Sequence, residues 1–267
     1  LAAGLVASIR GVRSAALDVA IAERVSPYPI VISVGSGGTR IDGGVPDAQT
    51  RDEILELVGA GADDRTRLLA GVPDRETWLS GVRYLSEYAR DFDEGEAALS
   101  GLQVTISGRA RDYPSYDALL ARSELNTPTG LTVGYREIAP PLASPYQFDV
   151  RFDGTQIAFS GAVPNEGVID TLTALLPDGV TPSTSLVLAS GASPDFETKV
   201  AVATENILKL HDGSFSISDD TLTFSGAPTD RFVGDEVRLA MTPIASNLEL
   251  APPPVAEYWF GAEKTEA

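Results

Sequence analysis

Histidine occurs once in the 267 residues, at His211, and cysteine not at all. A Ser-His-Asp triad needs an imidazole between nucleophile and carboxylate, thiolate chemistry needs cysteine, and no G-x-S-x-G elbow presents a serine. His211 stands in Leu208-Lys209-Leu210-His211-Asp212-Gly213, which reads as a helix end, where an imidazolium meets the negative pole of the macrodipole. It is expected to be structural or solvated. The densest carboxylate run is Asp91-Phe92-Asp93-Glu94-Gly95-Glu96. Calcium seeks several such oxygens, but the twelve-residue loop pattern is missing and the glycine comes one position early. A solvated acidic helix end with a glycine cap is the expectation. Val34-Gly35-Ser36-Gly37-Gly38 has no Lys-Ser/Thr after it, so it reads as a hairpin rather than a phosphate loop. Trp78, Tyr84, Tyr88 and Phe92 could form a stacking platform, yet Trp78 and Phe92 share an apolar stripe that assigns them to a core.

The elements that must position these residues are written in a duplication. Ser26-Pro27-Tyr28 returns as Ser144-Pro145-Tyr146, at an offset of 118 residues. The same offset carries Gly44-Val45-Pro46-Asp47 onto Ala162-Val163-Pro164-Asn165 and Ile106-Ser107-Gly108 onto Phe224-Ser225-Gly226. One register is expected to hold without insertion for about two hundred residues. Trp78, Val82, Leu85, Ala89 and Phe92 map onto Phe196, Val200, Ala203, Ile207 and Leu210. Steps of four and three make one face of a helix, repeated. Later, Ile138-Ala139-Pro140-Pro141 matches Leu250-Ala251-Pro252-Pro253 at an offset of 112, so the second copy lacks six residues around Asn126-Thr127-Pro128-Thr129-Gly130.

Within a copy, Tyr28 to Val34 and Arg40 to Gly44 read as strands about a turn whose counterpart holds Asp153-Gly154, a hairpin signal. Pro46 then suits a first helical turn, and Ile54, Leu57 and Val58 share a face. A short strand is expected around Arg67 to Ala70. Next come the Trp78 helix, a hairpin of Ala97 to Leu99 with Gln103 to Ser107, a helix around Tyr116 to Leu120 and a strand, Leu131 to Ile138. The order is ββαβ followed by αββαβ.

The αββαβ unit resembles the BON domain through Val104-Thr105-Ile106-Ser107-Gly108-Arg109-Ala110 and Leu222-Thr223-Phe224-Ser225-Gly226-Ala227-Pro228. Looser copies stand at Ile41-Asp42-Gly43-Gly44-Val45-Pro46 and Phe159-Ser160-Gly161-Ala162-Val163-Pro164. The alternation, joined by "Ile/Leu-Ala-Pro-Pro…Pro-Tyr", is similar to BON-like arrays ahead of the peptidoglycan-binding domain in OmpA-family envelope proteins. No such wall-binding segment is visible here, so no wall-binding residue is carried over.

The expected fold class is therefore α+β: tandem small αββαβ and ββαβ (BON-like) modules in an elongated array. Its divisions are 1–25, the end of a preceding module with a helix over Leu1 to Val12 and a strand over Leu17 to Val25; 26–72, 73–143, 144–190 and 191–256, the four half-repeats; and 257–267, the start of a truncated module. Linkers are expected near Ala139 to Ala143 and Ala251 to Ala256, and Tyr258-Trp259-Phe260 is expected to open a third unit that continues past Ala267, with Trp259 more exposed than Trp78.

Composition narrows the function classes. Lys and Arg number 20 against 38 Asp and Glu, a net charge of −18, with 43% hydrophobic residues. Such a chain repels phosphate backbones and anionic lipid surfaces, so nucleic acid is not an expected partner. No apolar run approaches the ~20 residues that cross a bilayer. The resemblance implies a non-enzymatic structural or interaction protein of the periplasm, associated with the outer membrane and part of an OmpA-family protein. No catalytic, cofactor-binding or metal-ligating residue is expected, and no cofactor. The partners implied are envelope proteins or lipids, peptidoglycan only through a domain absent from this chain, and self-association through the unpaired strand at Tyr258-Phe260. The alternatives are a lipid- or lipoprotein-binding module and, third, a hydrolase or isomerase with a carboxylate pair in a cleft between modules.

Overall fold

Alternation of period two runs through Pro29–Gly35 and Gly38–Val45, burying Ile30, Ile32 and Ile41 on one side and leaving Ser33 and Arg40 on the other. These are β1 and β2 in the computed structural model, which describes residues 22–59, 61–124 and 127–252. The turn between them pairs Gly35 with Gly38, whose φ of 92° is a left-handed value that glycine adopts freely. Asp47 then caps α1 (Ala48–Val58), its carboxylate accepting from the Thr50 amide at 2.8 Å. Pro46 thus precedes the cap instead of occupying the first turn. A crossover leads to β3 (Asp63–Leu68), parallel to β2, and then to α2 (Arg75–Asp91), capped by Asp74.

The acidic run after α2 is not a helix end. The chain passes straight into β4 (Phe92–Ser100), so Asp93, Glu94 and Glu96 are strand residues with no glycine cap. Strand β5 (Gln103–Ala110), α3 (Tyr113–Glu124) and β6 (Thr132–Ala139) complete the first copy. The second follows in the same order: β7 (Gln147–Phe152), β8 (Gln156–Val163), α4 (Glu166–Ala174), β9 (Thr181–Leu188), α5 (Phe196–Ile207), β10 (Leu210–Ser218), β11 (Thr221–Pro228), α6 (Arg231–Met241) and β12 (Asn247–Leu250).

The fold is mixed α+β, with six helices and two six-stranded mixed sheets among the described residues. Their strand orders are β3-β2-β1-β4-β5-β6 and β12-β11-β10-β7-β8-β9. In each sheet the two half-repeats are joined at the middle, where β1 pairs antiparallel with β4 and β7 with β10. The chain divides into two compact units, one drawn from Leu1–Gly108 and Arg122–Glu137, the other from Arg109–Ala121 and Ile138–Ala267. The segment expected as a linker, Ala139 to Ala143, is tied into the second unit. Ala143 donates to the Ser190 carbonyl, and Ser190 returns bonds to the carbonyls of Pro141 and Pro140. The expected elements in 1–21 and the Tyr258-Trp259-Phe260 segment lie outside the described residues.

Both apolar stripes are buried: Trp78, Val82, Leu85, Ala89 and Phe92 in the first unit, and Phe196, Val200, Ala203, Ile207 and Leu210 in the second. Tyr28 meets Trp78 edge-on with ring centroids 5.6 Å apart, and Tyr146 meets Phe196 the same way at 5.2 Å. The Ser26-Pro27 and Ser144-Pro145 bonds before these tyrosines are both cis. Paired N-caps recur at Asp112 and Asp230.

The duplication is not insertion-free. Arg40 pairs with Asp63, but its counterpart Ala158 pairs with Ser183, so β9 lies 120 residues after β3. Two residues are gained before β9 and two lost before α5. A surface loop absorbs such a change without moving the core, and the apolar pattern on either side is silent about it.

Gly43 and Gly161 are equivalent, with φ of 124° and 104°. A Cβ there would lie 2.4 Å from the Pro29 carbonyl oxygen and 2.3 Å from that of Gln147. Either glycine changed to alanine should destabilise its unit by at least about 2 kcal/mol in denaturant titration. Gly37→Ala, at a turn with open space around it, should lie within about 0.5 kcal/mol of the parent.

Candidate functional site

Among the described residues of the second unit the helices lie on one face of the sheet. In the second unit α5 packs on β10 and β11, α6 on β11 and β12, and α4 on β8. Alternation therefore sends every second strand residue to an open face. Strand register aligns these residues in rows. One row runs Glu249, Ser225, Ser214, Arg151, Ala158, Ser183, and the next Asn247, Thr223, Ser216, Asp149, Ser160, Ser185. Hydroxyls pair across strands, Ser216 with Thr223 at 2.7 Å and Ser214 with Ser225 at 3.1 Å. The rows border two open depressions of about 570 and 330 Å³, which share Arg151, Ser214 and Ser225.

The first unit places different chemistry at the same positions. Its rows read Glu96, Ser33, Arg40, Asp63 and Ala98, Val31, Asp42, Arg65. Asp63 is bound by Arg65 and Arg40, each at 3.1 Å, and these hydrogen bonds hold its carboxyl below the usual range. Behind it, burial pushes the Asp64 carboxyl up, but bonds from the Thr66 hydroxyl and amide and from Arg51 outweigh this and lower it. One sheet face is thus laced by ion pairs, and the other carries mainly neutral donors and acceptors.

A second cluster exists in the first unit alone. Arg136 donates to the Tyr84 hydroxyl at 2.7 Å and to the Ser123 carbonyl at 2.7 Å, and its guanidinium lies 5.8 Å from the centre of the Tyr88 ring. Arg122 stands 5.2 Å from the same ring and bonds Asp91 at 3.0 Å. The Tyr84 and Tyr88 hydroxyls are 3.2 Å apart. In the second copy these positions hold Val202, Asn206, Ala240 and Leu248. The aromatic quartet is therefore no stacking platform, since Trp78, Tyr84, Tyr88 and Phe92 are all buried. Sequence reading missed Arg122 and Arg136. Their one signal is a charged residue where the other copy has an aliphatic one.

His211 is not at a helix end. It is the second residue of β10, exposed, with Nδ1 2.8 Å from the Asp212 carboxylate. Among the described residues no three His, Cys, Asp or Glu side chains gather as they would around a metal ion. No described helix is long and apolar enough to cross a membrane.

Burial, then the hydrogen bond with Tyr88, pushes the Tyr84 phenol up to about 12; burial, then the charge of Asp47, does the same to Tyr28. Burial raises Tyr146 further. An unfolded chain releases these protons near pH 10, so the folded state holds more protons between about 10 and 12 and loses stability as pH rises through that window. Tyr84→Phe should flatten the alkaline fall in unfolding free energy, followed by denaturant titration at pH 8 to about 11. An unchanged slope would mean that Tyr84 ionises as freely folded as unfolded.

Set against protein-family models and against curated proteins, the sequence matches none.

Proposed function

We propose that this chain is a non-enzymatic segment of a cell-envelope protein, built of BON-like repeats, held in the periplasm near the outer membrane and working through surface contacts. The supporting observation is the pairing of a duplicated core with divergent open faces. The apolar stripes and the caps at Asp47 and Asn165 and at Asp112 and Asp230 agree between the copies, whereas the equivalent rows carry Glu96, Arg40 and Asp63 in one unit and Ser214, Ala158 and Ser183 in the other. Sheets covered on one side offer broad faces, and two chemically distinct faces in one chain suit contact with more than one envelope component. The BON-like and OmpA-family reading rests on the Ser107-Gly108 and Ser225-Gly226 hairpin strands and their order, and the compartment on that likeness.

The test is to tag the gene in its own host, fractionate cells after osmotic shock, and place a photo-crosslinking residue at Thr223 on the open face or at Thr171 on a helix. Recovery with the periplasmic and outer-membrane fractions, with adducts from Thr223 far exceeding those from Thr171, is the expected result. Recovery with the cytosol would overturn the envelope assignment, and equal adducts would overturn the role of the sheet face.

A further inference from the structure

The outer edges of β3 and β9 are the same strand in two copies, and among the described residues only one of them is defended by charge. In both, odd-numbered residues bond inward: Leu69 donates to the Val45 carbonyl, and Thr181 and Ala189 donate to Thr155 and Val163. Even-numbered residues therefore turn N–H and C=O away from the sheet. On β3 the outward amide of Thr66 is already taken, at 2.8 Å, by the Asp64 carboxylate, which Arg51 holds in turn. Asp63, Asp64, Arg65 and Arg67 add charge along that edge. On β9 the register-equivalent residues are Ser183, Thr184, Ser185 and Val187, and Arg51 has become Ile169. The Thr66 counterpart is Leu186, which no neighbouring carboxylate caps. A natural edge of this length is ordinarily protected by charge, brevity or proline; among the described residues β9 has only Pro182, at its outward-facing first step, and the Pro141 to Ala143 segment, which bonds Ser190 just past its end and leaves Thr184 to Leu188 open.

We propose that β9 is a homodimerisation edge, pairing antiparallel with β9 of a second copy. Centred on Leu186, such a pair sets Thr184 opposite Leu188 of the other copy, so the outward amides of Thr184, Leu186 and Leu188 all find carbonyl partners. The side chains decide for a second copy over a charged partner. Leu186 and Leu188 already pack against the apolar core from its margin, and their two-fold mates continue that core across the seam. Val187, 48% exposed, and Ser185 lie on the open face. In a chain of net charge −18, β9 is a strand with no charge at all, so two copies meet there without local repulsion. An isologous contact needs one self-complementary patch, and pairing along the two-fold closes it.

Sedimentation equilibrium of the full chain, from about 5 to about 500 μM, reads this out. A monomer–dimer equilibrium is expected, with hydrogen exchange at Thr184, Leu186 and Leu188 slowing as concentration rises. Thr184→Pro removes an outward amide and leaves the bonds to β8 intact, so it should raise the dimer dissociation constant at least about tenfold. If that variant misfolds, grafting the β3 charges as Ser183→Asp, Thr184→Asp, Ser185→Arg and Val187→Arg makes the same test, with circular dichroism reporting the fold. A monomer at the highest concentration, or a dimer indifferent to the folded variants, overturns the proposal.

Discussion

Each unit depends on the antiparallel pairing of its two central strands, β1 with β4 and β7 with β10. A half-repeat alone supplies three strands and one or two helices, too little apolar area to be stable in water. Joined at the middle, the halves make a sheet broad enough to cover a shared core. The pairing is fixed at one end by a tyrosine and a left-handed turn. The Tyr28 carbonyl accepts from Gly101, whose φ is 63°, and the Tyr146 carbonyl accepts from Asp219, whose φ is 52°, both at 2.8 Å. Asp219 also takes the Tyr146 amide at 2.8 Å, which offsets the cost of a left-handed residue other than glycine. The same tyrosines point their rings into the core against Trp78 and Phe196. One residue in each copy therefore sets strand register and packing together.

That anchor explains which features were legible in the sequence. Ser-Pro-Tyr, the 3.6-period stripe from Trp78 to Phe92 and the Gly-rich and Asp-Gly turns are local signals. Each is written within a few residues of where it acts. The union of half-repeats was not legible, because nothing near Ile30 names Leu99 as its partner; strand pairing over such separations is set by the whole core. The beginning of β4 was misread for a related reason. Asp93-Glu94-Gly95-Glu96 is polar enough for a turn, and it is a strand because β1 lies beside it and Phe92 is buried. The two-residue shift before β9 was hidden in the same way, since β3 and β9 share almost no side-chain identity.

Once the backbone is fixed by core, caps and turns, the open face and the edges can change without disturbing it. The six charged residues Arg40, Arg51, Asp63, Asp64, Arg65 and Arg67 of the first unit correspond to Ala158, Ile169, Ser183, Thr184, Ser185 and Val187 in the second. Exposed ion pairs contribute little each, about 0 to 1 kcal/mol, so their loss costs the second unit little. Surface chemistry and edge protection are consequently free to diverge, and the divergence is concentrated around the outermost parallel strand.

The interiors follow the same separation of backbone from chemistry. The second core is closed by phenylalanine: Phe148 packs against Phe159, Phe196 and Phe215, and Phe215 stacks on Phe224 at 6.2 Å. The first has Ile30, Ile41, Ala97 and Ile106 at the positions of Phe148, Phe159, Phe215 and Phe224, and gathers Tyr84, Tyr88, Arg122 and Arg136 at other positions, where hydrogen bonds and cation–π contacts add to its smaller apolar core. Truncating Arg136 would remove the hydrogen bonds it gives to the Tyr84 hydroxyl and the Ser123 carbonyl, whereas trimming a phenylalanine leaves a cavity. Equivalence in the repeat thus constrains φ, ψ and register at Tyr28, Gly43, Asp47 and Gly101, and leaves each unit to fill the resulting volume by its own chemistry.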